Sequence, residues 1–119
     1  MSSPPDILLG DWQLVHGRGP KGEVLVPDGH QVTLTVGEQG WAGTATCNRC
    51  HGNVVVEGDA LAVGPVAVTR MACADPAVTV AEAAYLAAFT EVERWSIEAG
   101  RLQLAGPGVQ LVFVPAAAP

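Results

Sequence analysis

The segment Gln31-Val32-Thr33-Leu34-Thr35-Val36 alternates without a fault, sending Val32, Leu34 and Val36 to one face and polar side chains to the other. A period of two is the signature of a half-buried strand. Shorter runs with the same pattern occupy residues 12–16, 41–46, 53–56, 60–63, 66–69, 95–98, 101–104 and 110–114. Between them stand Glu57-Gly58-Asp59, Ala99-Gly100 and Gly106-Pro107-Gly108, which supply the positive-φ or fixed-φ positions of tight reversals. Links this short join antiparallel neighbours, because a parallel pair needs a crossover of a dozen residues or more.

One stretch is long enough for such a crossover. Residues 79–94 open with Thr79 and Glu82 in the spacing of a capping box and continue through an alanine-rich run, so a single helix is expected there. Tyr85, Leu86, Phe89 and Val92 recur at helical spacing and form the face expected to pack on the sheet. Nine short strands and one helix in 119 residues predict a mainly β fold, a compact antiparallel barrel with the helix over one opening. Residues 9–115 are expected to form the one domain. The flanking 1–8 and 116–119, rich in Ser, Pro and Ala, read as flexible tails.

Charge narrows the partners. Twelve acidic against six basic side chains leave a net charge of −6, which repels phosphate backbones and argues against nucleic acid. No run approaches the roughly 20 apolar residues of a membrane-spanning helix. The start Met-Ser-Ser-Pro-Pro-Asp has neither a basic nor an apolar leader region, so the cytoplasm is expected, with export as the alternative if a leader has been removed.

All three cysteines fall in two segments, Cys47-Asn48-Arg49-Cys50-His51-Gly52 and Thr69-Arg70-Met71-Ala72-Cys73. With Gly10-Asp11-Trp12, Leu14, Trp41-x-Gly43, Glu82 and the closing Leu102-x-Leu104 and Leu111-x-Phe113 pairs, they give the chain a close resemblance to the META/HslJ (heat-inducible protein) family. The resemblance implies a barrel-like domain with one helix, found in bacterial proteins that are often exported lipoproteins linked to stress, without established enzymatic activity. Its motif residues here are Cys47, Asn48, Arg49, Gly52, Thr69, Arg70, Met71 and Cys73. Two positions depart from the family pattern: Cys50 stands where an aromatic residue is usual, and His51 where a small or polar one is. Because the first and last cysteines recur together in the family, Cys47 and Cys73 are expected in contact or bridged, with Cys50 as the odd thiol.

The departures open three chemical readings. Cys47-x-x-Cys50-His51 matches the attachment motif of c-type haem, but that attachment belongs to exported proteins, and a haem needs a deep apolar pocket where the resemblance implies a strand and turn, so no cofactor is expected. Cys47, Cys50, His51 and Cys73 offer the S3N donor set of a tetrahedral zinc site. The pair Cys47 and Cys50 could cycle as a dithiol, with Arg49 or His51 stabilising a thiolate. Against these stands a structural role, in which Asn48 shapes a turn and Gly52 fills a position closed to a Cβ. His16 and His30 have no nucleophile motif nearby, and no carboxylate pair can be named from spacing. The sequence thus predicts a non-enzymatic module binding an unknown small ligand or protein, with thiol redox or zinc binding as the alternative.

Overall fold

The computed structural model describes residues 4–69 and 71–116. Nine strands and one helix follow in chain order: β1 (Gly10–Gly19), β2 (Gly22–Glu23), β3 (Val32–Val36), β4 (Trp41–Ala45), β5 (Asn48–Glu57), β6 (Ala60–Val68), α1 (Pro76–Phe89), β7 (Arg94–Glu98), β8 (Arg101–Gly106) and β9 (Val109–Pro115). Each strand from β3 onward pairs antiparallel with the next, and β1 pairs with both β3 and β9, which closes an eight-stranded barrel. The short β2 adds a two-residue ribbon to the end of β1.

Alternation sets the interior. Trp12 and Leu14 of β1, Val32, Leu34 and Val36 of β3, Trp41 and Ala45 of β4, and Leu102, Leu104, Leu111 and Phe113 of β8 and β9 are all buried. The phase changes once on β1, where Val15 has no partner on β9 and the inward positions move from Trp12 and Leu14 to Gly17. The helix plugs one end. Phe89 meets Trp41 edge to face at 4.7 Å and stacks on Tyr85 at 5.5 Å, while Tyr85 meets the Phe113 ring at 6.5 Å. Gly19 lets the helix approach: a Cβ there would lie 2.6 Å from that of Ala88.

The barrel is sealed unevenly. On β7 the pairing with β6 is confined to Ala60 opposite Arg94, with Leu61 N–H donating to Glu93 O and Trp95 N–H to Asp59 O. Beyond Leu61, β6 runs along the gap to α1 without a second strand beside it among the described residues.

Several expected boundaries move. The runs 60–63 and 66–69 are one strand, because Gly64-Pro65, which reads as a turn, is absorbed as a bulge opposite Asn53. Strand β5 begins at Asn48 instead of residue 53. The helix begins at Pro76 and ends at Phe89, not at 79 and 94, with Asp75 as its cap: the Asp75 carboxylate accepts from Ala77 N–H at 2.9 Å. Pro76 at the first turn costs no hydrogen bond and starts the helix one turn before Thr79. The helix face is also shifted: Val78, Ala81, Ala84, Tyr85, Ala88 and Phe89 are buried, Leu86 only half so, and Val92 is buried beyond the helix end. The tail expected over 1–8 is tied down by Leu8, which is 0% exposed in the core and whose carbonyl accepts from Trp12 Nε1 at 3.0 Å. At the other end Ala116 N–H donates to Asp11 O, and the rest of that expected tail, like residues 1–3, lies outside the described residues.

Candidate functional site

The two cysteine segments meet at the rim of the barrel where β5, the 69–75 connection and α1 converge. Thr46 and Cys47 make the tight β4–β5 turn, and Thr46 takes a left-handed conformation (φ 66°) that is costly for a β-branched residue. Its hydroxyl donates to Val78 O in the first turn of α1 at 2.9 Å, fastening the turn to the helix. Cys47 and Cys73 form a disulfide with Cα atoms 6.3 Å apart, inside the range that a bridge demands. Both are half-buried at the rim.

Asn48 organises the junction. It is 5% exposed, and its amide fills every position it has: Oδ1 accepts from Met71 N–H at 2.7 Å and Thr69 Oγ at 3.0 Å, while Nδ2 donates to Glu82 Oε2 at 2.9 Å and Met71 O at 3.4 Å. Its backbone N–H donates to Glu82 Oε1 at 2.8 Å. These bonds reach 21 to 34 residues along the chain, so Asn48 is not the local turn former the sequence suggested. Nor does Glu82 cap its own helix; its carboxylate is spent on Asn48, and Thr79 sits inside the helix facing solvent.

Downstream of Asn48 the strand alternates, and this separates the remaining candidates. Arg49 and His51 point outward and are exposed, whereas Cys50 points inward and is 2% exposed, its thiol 3.7 Å from Gly43 O. Burial pushes the Cys50 thiol up to about 11, with the Glu82 carboxylate adding to the effect. The four donors Cys47, Cys50, His51 and Cys73 therefore do not converge: two sulfurs are bonded to each other, one is in the core and the imidazole is on the opposite face. No group of three or more potential metal ligands occurs among the described residues. The same geometry removes the Cys47 and Cys50 dithiol, and with it the thiols that haem attachment would require. Gly52 is where expected, since a Cβ there would sit 2.8 Å from Pro65 O and 3.2 Å from Trp41 Nε1. Arg70 lies outside the described residues.

Two concavities bear on function. Within the core, Leu8, Leu34, Val36, Trp41, Val54, Leu61, Phe89, Leu102 and Leu104 enclose a void of only about 10 Å³, room for no more than one water. On the outside, a groove of about 470 Å³ runs between β6 and α1, floored by Asn48 and walled by Val68, Thr69 and Met71 against Thr79, Glu82, Ala83 and Leu86. Met71, at 59% exposed, overhangs it. Three motif residues, Asn48, Thr69 and Met71, thus line one surface. Sequence reasoning missed Leu86 and Ala83 as its other wall because Leu86 read as a core-facing helix position and Ala83 as one of an alanine-rich run.

A family model, META domain, matches residues 6–118. The chain belongs to the META domain family. An NMR structure of a protein from Burkholderia xenovorans has 28% sequence identity to this META domain and a TM-score of 0.76, covering 99% of this chain and 95% of that one. A second NMR structure, at 23% identity and a TM-score of 0.68 over 96% of this chain and 95% of the other, shares the fold. No curated protein matches. Among the described residues no helix is long and apolar enough to cross a membrane.

Proposed function

We propose that this META domain is a non-enzymatic binding module and that the groove between β6 and α1 is where it binds. The observation that carries this is the contrast of volumes: about 470 Å³ outside against about 10 Å³ within the barrel. A filled barrel holds no small molecule, whereas the outer groove has the size and mixed lining of a recognition surface. Chemistry at the site argues the same way. Glu82 is committed to Asn48, two cysteines are joined, and the third is buried as a neutral thiol, so thiol redox and zinc binding lose the groups they require. The disulfide fits an oxidising compartment, which favours export over the cytoplasm. A role in stress is in keeping with a cross-linked, ligand-binding envelope protein, and the net charge of −6 keeps nucleic acid an improbable partner.

The test is isotope-edited NMR of the oxidised protein against pools of metabolites and peptides. Ligands should move the amide signals of Thr69, Met71, Glu82, Ala83 and Leu86, and filling the groove with Ala83→Trp should abolish those shifts. Ligands that instead move only signals on the far side of the barrel, or that are chemically converted, refute the reading.

A further inference from the structure

The groove has one wall made of main chain. Thr69 N–H donates to Arg49 O at 3.0 Å, which marks Arg49 and Thr69 as a hydrogen-bonded pair of the β5–β6 ladder. In an antiparallel ladder such pairs alternate with pairs whose N–H and C=O groups point away. Ala67 opposite His51 is therefore bonded to β5, while Val68 opposite Cys50 and Val66 opposite Gly52 turn their backbone groups to the other side. At Val68 that side faces α1 across the groove, and no partner for the Val66 or Val68 amide occurs among the described residues. Elsewhere along the edge Leu61 N–H is bonded to Glu93 O, and Pro65 has no N–H to give.

An open pair of amides and carbonyls beside an apolar helix wall fits one kind of occupant better than others, because only another extended chain can satisfy both rows of backbone groups. Charge selects among chains. Glu82 stands in the groove, on a molecule of net charge −6. A second copy of this chain would bring the same negative charge to the same edge, whereas a basic segment would be attracted. Resting on the groove reading above, we propose that the partner is an extended segment of another polypeptide, alternately apolar and basic, which adds as a strand to β6 at Val66–Val68 and seats its side chains between β6 and α1.

The probe is a capped synthetic peptide, Lys-Val-Lys-Val-Lys-Val-Lys, with a twin N-methylated at alternate residues as the control. It should bind saturably to the oxidised protein, shift the amide protons of Val66 and Val68 beyond those of β8 and β9, and lose at least tenfold in affinity on N-methylation. Val66→Pro should give a similar loss; the N-methylated twin against the unaltered protein decides the matter if that variant does not fold. No saturable binding, equal binding of the twin, or shifts that appear on concentrating the protein alone overturn strand addition. Small molecules that move Ala83 and Leu86 but not Val66 and Val68 would leave the groove reading standing and overturn this one.

Discussion

The two sides of the barrel are held by different means. On the β8–β9–β1–β3 side, ladders run long, broken only by the bulge at Val15, and the inward positions are apolar, from Leu102 and Leu104 through Leu111 and Phe113 to Trp12, Leu14 and Leu34. On the β5–β6 side the ladder to β7 is reduced to one residue pair, and cohesion comes from the Cys47–Cys73 disulfide, the Asn48 amide and the Thr46 hydroxyl. Burial is non-directional and tolerates repacking, whereas a hydrogen-bonded junction holds only while every member is present. The side that is thinnest in ladder is the one that carries the groove, as expected when binding surfaces are drawn from the less stable parts of a fold.

The comparison can be broken most forcefully at the plug. Phe89→Ala removes a ring 2% exposed and should destabilise the protein by about 3–5 kcal/mol in denaturant titration; a loss below about 1 kcal/mol would show that the helix is peripheral. Next comes the disulfide. Cys47→Ser with Cys73→Ser, closing no loop across a sequence separation of 26, should cost about 2–4 kcal/mol. Its local mark should be faster amide hydrogen exchange at residues 66–69 and 71–78 than at β8 and β9; uniform acceleration would erase the distinction between the two sides. Asn48→Ala leaves Met71 N–H and the Glu82 carboxylate short of a partner, and should cost about 1–3 kcal/mol. Groove-residue signals should broaden before any change at Leu111.

A further effect appears only in alkaline solution. With the folded Cys50 thiol at about 11 against an ordinary value of 9.0, the unfolded chain releases its proton first as pH rises. Stability is therefore unaffected by this group below about pH 9 and falls between 9 and 11, by at most about 1.4 kcal/mol per pH unit. Cys50→Ala should flatten that part of the profile. Alkylation of the native protein at pH 8 should be slow and become fast on unfolding; rapid labelling of folded protein would place the thiol outside the core.

What the sequence made legible follows the same divide. Where burial alone decides, alternation was sufficient: β3, β8 and β9 lie where Val32, Leu34, Leu102, Leu104, Leu111 and Phe113 demand. Where polar groups hold the chain, pattern reading fell short. The inward series at the start of β5 is Asn48, Cys50 and Gly52, which has no apolar rhythm, so the strand was invisible before residue 53. Glu82 carried a capping signal but serves a residue 34 positions away, a fact no local window contains. Gly64-Pro65 announces a turn and is used as a bulge, because β5 continues past it on the other side. The Asp75-Pro76 pair is a start signal one turn before Thr79 that a reading built on the Thr79 and Glu82 spacing passes over.

The extra residue on β1 has a consequence for assembly of the barrel. Past Val15 the interior positions belong to Gly17 and Gly19, against Leu111 and Ala88, with no room for a side chain. A chain that zipped up β1 and β9 one residue out of step would have to thrust His16 or Arg18 into that space. The bulge thus acts as a proofreading device: only one alignment of the closing seam lets the helix seat, and every other is rejected by collision before the barrel can shut.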